Sequence, residues 1–239
     1  MYQPNAGSAP SERTEIRLAY DDENLYAAGR MYDRTPDEIR APSKKRDQTG
    51  PANDWFGVLL DTFNNNENAL VFLTSPTGPR TDMAVFNDAQ GVFPINVSWN
   101  TFWDVATKRN ADGWFAEMRI PLSSLRFQTE AGRVEMGLIL VRIIARNFEF
   151  DTFPAIEPKW GTFGVMKPSV ARKIVLEGVQ NKKPFYITPY WAAGSAPSPS
   201  TRPKRPTGST GYPFPNGTNA SSPAWYSSAS WSCSASSSH

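Results

Sequence analysis

The side chains of this chain that could hold or transform a ligand are aromatic rings, carboxylates and guanidinium groups. Only one cysteine and one histidine occur, Cys233 and His239, and both lie near the carboxyl terminus. Residues 1–232 therefore lack the imidazole and thiol groups of Ser-His-Asp and Cys-His nucleophilic sites, and of zinc and haem sites built from those ligands. Paired carboxylates and an oxygen-ligated cation are still compatible with this composition.

Tryptophan is the residue type best suited to hold a ligand here. The face of an indole stacks on the apolar C–H face of a sugar ring, and its N–H donates a hydrogen bond. Trp99 is flanked by polar residues and Trp160 stands in the sequence Pro-Lys-Trp-Gly, so both are predicted to lie in loops. Three others are expected in the core, because they lie in or beside apolar runs: Trp55, Trp103 and Trp114.

Carboxylates cluster at predicted strand ends and turns: Asp21, Asp22, Asp33, Asp47, Asp54, Asp61, Asp82, Asp104, Asp112 and Glu117. Two of them could act as acid and base in glycoside hydrolysis, and several could hold a structural calcium ion. No calcium loop of the D-x-[DN]-x-[DN]-G type is present, and no spacing singles out a catalytic pair. Turn chemistry explains most of them, since aspartate bonds its own backbone in turns.

Two arginines flank a very apolar pair on one predicted strand. Arg142 and Arg146 enclose Ile143-Ile144. A part-buried arginine at such a position is expected to need a carboxylate partner, so a structural salt bridge is favoured over a ligand clamp.

The segment from Trp99 to Phe127 predicts a β-hairpin that would position several of these residues. Two aromatic-rich strand patterns flank the turn sequence Asn-Ala-Asp-Gly at 110–113. Further strands are predicted along the chain: 14–20, 25–32, 54–61, 69–74, 82–87, 102–108, 113–120, 134–145 with a bulge at Gly137, and 172–176. A short helical turn with Thr35 as its N-cap is predicted before Pro42. Turn signals every eight to twelve residues and no long amphipathic helix indicate an all-β, antiparallel β-sandwich.

The chain divides near residue 180. Net charge is +2, which gives no electrostatic argument for nucleic acid. The last acid is Glu177, and the 62 residues after it carry five bases and no acid. We predict a folded domain over 1–180 and a linker with a disordered Ser/Pro-rich C-terminal tail over 181–239, which is either natural or the product of a frameshift. The N-terminus has no signal-peptide pattern.

With these residues in view, residues 1–180 resemble the family 9 carbohydrate-binding module, in the version that precedes a bacterial outer-membrane β-barrel. The matching pieces, in order, are Gln3–Gly7, Ser11–Glu15, Tyr20–Tyr26, Asp33, Arg46-Asp47, Asp54–Asp61, Trp99, Trp103, Asp112–Trp114, Glu117, Ile120-Pro121, Leu125–Phe127, Gly137 and Arg142. The resemblance implies a β-sandwich in an exported protein of the bacterial cell envelope, in the periplasm or outer membrane. It also implies that the chain is truncated at both ends.

The resemblance implies a saccharide as partner and points to particular ligand contacts. In the sugar-binding members, two tryptophans sandwich the terminal sugar. Trp160, ahead of Phe163-Gly164, matches one of them. The other falls near Pro51, with Trp55 four residues late, and a polar ligand residue of the family falls on Gly57. The candidate ligand-binding residues are therefore Trp160, Trp99, Trp55 and Arg142.

Three functions follow as hypotheses. The first is non-catalytic carbohydrate binding by aromatic stacking at the cell envelope, in carbohydrate catabolism, without a cofactor. The second is an interaction or plug module of the chain's own outer-membrane barrel that binds no sugar. The third is an O-glycosyl hydrolase, in which Glu117 would be the carboxylate to test.

Overall fold

The computed structural model describes residues 1–161 and 163–180. The predicted disordered tail, 181–239, lies outside the described residues. The strands are β1 (Thr14–Tyr20), β2 (Asn24–Tyr32), β3 (Trp55–Asp61), β4 (Ala69–Thr74), β5 (Thr81–Val85), β6 (Ile95–Asn96), β7 (Asp104–Asn110), β8 (Gly113–Pro121), β9 (Arg133–Ile144), β10 (Glu149–Phe153) and β11 (Arg172–Glu177). The helix α1 (Leu122–Leu125) has a single turn, and several 3-10 turns lie in the loops.

The strands form two antiparallel sheets. The smaller has the order β1-β2-β8-β7, and the larger has the order β10-β9-β3-β4-β5-β6. Strand β11 pairs with residues 133–138 of β9, whereas β10 pairs with residues 140–144 of the same strand. The predicted all-β, antiparallel sandwich is confirmed.

Burial follows the strand period where one face is solvated. Along β8, Trp114, Ala116, Met118 and Ile120 are buried, while Glu117 and Arg119 between them are exposed. All seven residues of β3 are buried, because both faces of the larger sheet are covered. One apolar core lies between the sheets; the other lies on the outer face of the larger sheet, beneath Tyr2, Ile156 and Val165.

The predicted hairpin is present, but it begins later than expected. Strand β7 starts at Asp104, so Trp99 lies in the loop that precedes the hairpin. Trp103 and Trp114 are 1% and 0% exposed, which confirms their assignment to the core.

One local prediction was wrong, and another was confirmed in position but not in its hydrogen bond. Gly137 lies in continuous register with both neighbouring strands, so β9 has no bulge there. Glycine is needed instead because a Cβ would lie 2.9 Å from the Cβ of Ala171 and 3.1 Å from that of Asp61. The predicted turn is present over Pro36–Glu38, and Thr35 occupies its N-cap position. Its side chain makes no capping bond, because its hydroxyl bonds the carboxylates of Asp33 and Glu38 instead.

Strands β6 and β10 were not predicted. Among the described residues, no helix is long and apolar enough to cross a membrane.

Candidate ligand-binding site

A cleft of about 650 Å³, here called the Trp99 cleft, opens at one end of the sandwich. Its walls come from the start of the β3–β4 loop, from β4 and β5, from the loop before β7 and from the connection between β8 and β9. The lining combines aromatic rings with hydrogen-bonding groups: Trp99, Phe63, Phe86, Phe102, Asn68, Asn100, Thr101, Ser123 and Arg126. Three of the rings, those of Phe63, Phe86 and Phe102, are solvent-exposed.

The core fixes the indole of Trp99. The residue is half-buried, and its ring meets Phe72 edge-on at a centroid distance of 6.2 Å. Phe72 is fully buried and holds Trp103 in the same way at 5.4 Å. Because edge-to-face rings at this distance attract each other, Trp99 is held in one orientation while it lines the cleft.

An ion pair beneath the cleft holds the loop that carries Trp99. The guanidinium of Arg46 donates to Asp82 at 2.6 Å and to the side-chain oxygen of Asn100 at 2.6 Å. The backbone N–H of Thr101 donates to the second oxygen of Asp82, also at 2.6 Å. These three bonds pre-organise the wall of the cleft next to Trp99.

The same cleft offers hydrogen-bonding groups to a ligand. Arg126 has a positive φ of 47°, and its carbonyl accepts a bond from the hydroxyl of Thr62 at 3.2 Å. Its side chain is exposed, and neither its guanidinium nor the side-chain amide of Asn68 has a hydrogen-bond partner within the described residues. A ring that stacks on Trp99 could thus receive hydrogen bonds from other residues of the same cleft.

Trp55 lies elsewhere, on the outer face of the larger sheet. It is 3% exposed, and its indole N–H donates to the carbonyl of Gly50 at 3.0 Å. Its ring forms one wall of a groove of about 290 Å³ that Pro51 and Met166 also line. This outer-face groove is almost wholly apolar.

Gly57 lies under neighbouring side chains on that same face. A Cβ there would lie 2.3 Å from Leu73 and 2.8 Å from Val141. The side chains of Leu73 and Val141 therefore occupy the space in which the family resemblance implies a polar ligand residue.

Trp160 ends the short turn Pro158–Trp160 and is 41% exposed. Two ammonium groups lie over its ring, Lys167 at 4.6 Å from the centroid and Lys159 at 5.0 Å. Lys167 is itself buried and paired with Asp88. Burial raises the pKa of Asp88, but hydrogen bonds from Lys167 and Ser169 outweigh it, so the pKa lies below its usual value.

Arg142 corrects a prediction. It is 2% exposed, and it donates to the carbonyls of Arg13 and Tyr32 at 2.9 and 2.7 Å and to the hydroxyl of Thr14 at 2.8 Å. The expected carboxylate partner was wrong, because three neutral oxygens satisfy the guanidinium. Burial lowers its pKa, while Asp33 and other nearby carboxylates raise it.

The neighbouring arginine makes the salt bridge. Arg146 donates to both oxygens of Asp33 at 2.6 and 2.9 Å and also lies near Glu12 and Glu38. The hydrogen bond to Asp33 raises the pKa of Arg146.

The four predicted residues do not form one site. Trp55 and Trp160 belong to the outer face of the larger sheet. Trp55 lines the outer-face groove, and so does Met166, which lies in the turn that follows Trp160. Trp99 and Arg142 pack toward the core between the sheets. We did not predict the cleft residues Phe63, Phe86, Asn68 and Arg126 as ligand-binding residues. For Phe63 and Phe86, the one sequence signal is an aromatic residue in or beside a turn.

Acids and metal ligands are sparse around these surfaces. Glu117 is exposed on the outer face of the smaller sheet and lines neither the cleft nor the outer-face groove. Within the described ranges, no group of three histidine, cysteine or acidic residues could hold a metal ion. The structural calcium stays a prediction without an assigned site.

Comparisons with known proteins give structural likeness alone. No protein-family model matches the chain, and no curated protein does. The chain is similar to family 9 carbohydrate-binding modules. One, from Caldicellulosiruptor kristjanssonii in complex with cellotriose, has a TM-score of 0.49 and 18% identity, over 77% of this chain and 84% of that one. Its glucose complex has a TM-score of 0.47 and 15% identity over the same shares.

A third similar structure is a proposed carbohydrate-binding protein from Bacteroides uniformis. Its TM-score is 0.48 and its identity 8%, over 59% of this chain and 69% of that one. The assignment of a site to this chain therefore rests on its own geometry.

Proposed function

We propose that this chain binds a saccharide in the Trp99 cleft without transforming it. The observation that carries the proposal is the half-buried indole of Trp99, held by Phe72 in a 650 Å³ cleft that also presents hydrogen-bonding side chains. Sugar recognition needs both an aromatic face and a few placed polar groups. The saccharides bound by the similar modules, cellotriose and glucose, are the first ligands to try.

The residues that line the cleft favour binding over hydrolysis. Glycoside hydrolysis requires two carboxyl groups that flank the scissile bond. Among the described residues that line the Trp99 cleft, none is an aspartate or glutamate. Asp82, beneath the cleft, is occupied by Arg46 and by the N–H of Thr101.

The exposed ring of Trp160 offers a second surface on which a saccharide could stack. This residue matches one of the two sugar-stacking tryptophans of the family. The ring carries two ammonium groups within 5.0 Å, so a sugar would have to use the remaining exposed surface or displace Lys159. Lys159 is exposed, and its one ion pair within the described residues is with the exposed Glu157, so displacing it should cost little.

The cellular context is part of the proposal. The resemblance to modules that precede an outer-membrane barrel supports a place at the bacterial cell envelope, in carbohydrate catabolism. The rival function is an interaction module of that barrel without sugar binding. Two observations favour the rival: Trp55 is buried and Gly57 is covered, so half of the family's clamp is unmatched.

Calorimetric titration of the full chain with cello- and xylo-oligosaccharides tests the proposal. Aromatic stacking with a few hydrogen bonds should give a dissociation constant from about 1 μM to about 1 mM. Trp99→Ala removes the stacking face and should weaken binding at least about tenfold, since such a contact contributes about 1–3 kcal/mol in comparable stacking sites. Phe93→Ala is the control, because this residue is 90% exposed and lines neither surface.

The alternatives give different titrations. Binding that survives Trp99→Ala and vanishes in Trp160→Ala would move the site to Trp160. A wild-type chain that is silent on a glycan array but co-purifies with a barrel protein would replace the proposal with the interaction module. Release of reducing ends that is abolished by Glu117→Gln would establish the hydrolase instead.

A further inference from the structure

Strand β1 forms a free edge of the smaller sheet. It pairs with β2 on one side, and no described strand pairs with the other side. A free edge presents unpaired N–H and C=O groups to other chains, and folded proteins usually blunt such edges.

The outward-pointing backbone groups of β1 can be assigned. Arg13 accepts a bond from the N–H of Tyr32, and Asp21 donates to the carbonyl of Asn24, so the odd-numbered residues bond β2. Since the direction alternates along an antiparallel strand, the even-numbered residues point their N–H and C=O outward. These residues are Thr14, Ile16, Leu18 and Tyr20.

The other sheet edges are blunted. Strand β6 has two residues, and the far edge of the larger sheet is split between β10 and β11. Strand β7 lies against two loops, because Thr107 bonds the carbonyl of Pro76 and Arg109 bonds that of Pro36. Strand β1 is the long edge that lacks such protection in the described part of the chain.

A largely apolar groove runs beside this edge. Its volume is about 770 Å³. The apolar side chains that line it are Ile16, Leu18, Leu138, Leu140, Phe153 and Ile174, and the charged residues Glu12, Arg13, Arg142, Asp151 and Arg172 also take part. Leu18 and Phe153 are solvent-exposed. A strand added at β1 would turn every second side chain toward this groove and cover it.

The charges of β1 complement those of a second, antiparallel copy. With Ile16 opposite Ile16 of the second copy, Glu15 of each strand lies opposite Arg17 of the other. A shift of two residues in either direction would place Arg17 opposite Arg17, or Glu15 opposite Glu15. Arg17 is exposed and makes no ion pair with a described residue. Glu15 is paired with Arg13 through one carboxylate oxygen and accepts a bond from the hydroxyl of Tyr32 at 3.3 Å through the other, so it would be shared between Arg13 and the Arg17 of a second copy.

We propose that two copies of this chain associate through antiparallel pairing of their β1 edges, in the register that sets Ile16 opposite Ile16. The interface is isologous, as closed dimers require, and it joins two four-stranded sheets into one. The outward N–H and C=O groups of Ile16 bond those of the second copy. The pairs between Glu15 and Arg17 select the register.

Charge reversal on the full chain tests the proposal by sedimentation equilibrium. Arg17→Glu places glutamates opposite each other and should weaken the dimer at least about tenfold. Glu15→Arg should do the same. An equimolar mixture of the two variants should form a heterodimer, because one edge then carries only glutamates and the other only arginines. Lys108→Glu, at the opposite edge of the same sheet, makes the same change in net charge and should leave the dimer intact.

Folding and the alternatives are checked in the same series. Circular dichroism verifies that each variant is folded. The double variant E15R/R17E restores opposite charges across the interface and should self-associate again, which keeps the test decisive if Glu15→Arg alone fails to fold. A wild-type chain that sediments as a monomer at its solubility limit overturns the proposal. Equal association of Arg17→Glu, Lys108→Glu and the wild type overturns it too, because the interface would then lie elsewhere.

Discussion

Arg142 joins the two sheets through its buried guanidinium, whose hydrogen-bond partners in the described part of the chain are all neutral oxygens. Its bonds run from β9 to the carbonyl of Arg13, the hydroxyl of Thr14 and the carbonyl of Tyr32. Charged hydrogen bonds of this kind are stronger than neutral ones. The side chain contributes to stability here, in addition to lining the groove beside β1.

Arg142→Met should therefore destabilise the fold by about 3 kcal/mol or more, because the buried acceptors lose their donors. Urea denaturation measures the change. The matched control is Arg133→Met on the same strand, whose ion pair with Glu135 is exposed and should contribute less than about 0.5 kcal/mol. Equal effects of the two substitutions would contradict the assigned role of Arg142.

At the scale of the element, the hairpin of β7 and β8 depends on its turn. The N–H of Asp112 donates to the side-chain oxygen of Asn110 at 2.9 Å, which closes the turn before Gly113. Gly113 has a φ of +136°, and a Cβ on it would lie 2.2 Å from the carbonyl oxygen of Met31. The turn is thus pressed against the end of β2, and only glycine fits.

Gly113→Ala should cost about 3 kcal/mol or more, since backbone strain of about 1–3 kcal/mol adds to a backbone clash that no rotamer relieves. Gly132→Ala is the control, because Gly132 has a φ of +76° but no atom within 4 Å of a built Cβ. That control should lose only about 1–2 kcal/mol. Thermal unfolding of both variants makes the comparison, and similar losses would refute the role of the close approach.

Prediction of the elements from the sequence succeeded where the pattern was local. The predicted bounds of β1 and β4, at 14–20 and 69–74, are those of the structure. Strand β10 was missed because Glu149 and Asp151 are charged residues in buried positions, which hides the alternation. Strand β6 is too short to have a period.

At the scale of the whole molecule, stability should depend on the buried carboxyl of Asp151. Burial and the neighbouring Glu149 raise its pKa from 3.8 to about 6. Below about pH 4 the carboxyl is protonated in both the folded and the unfolded chain, and the stabilising contribution is complete. Between pH 4 and 6 the unfolded chain releases the proton first, so the free energy of unfolding falls as pH rises.

Asp151→Asn should flatten that decline. One pKa unit corresponds to about 1.4 kcal/mol, so the variant should gain at most about 3 kcal/mol over the wild type at pH 7 and little at pH 4. The pKa of Asp54 is also raised by burial, so Asp54 contributes to the slope in the same direction. Denaturation at several pH values measures the slope, and Asp22→Asn, in an exposed turn, should leave it unchanged. A slope that persists in full in Asp151→Asn would contradict the assignment.

The sequence by itself determined the class of fold, the course of most strands and the chemistry that residues 1–232 lack. Those properties follow from local periodicity, turn residues and composition, which act over a few neighbours along the chain. The tertiary structure decided which tryptophans meet polar groups in a cleft, that Arg142 bonds neutral oxygens, and that β1 is left as an edge. These depend on residues far apart in sequence, such as Arg142 and Thr14 or Trp99 and Phe72, whose contacts arise only when the two sheets pack.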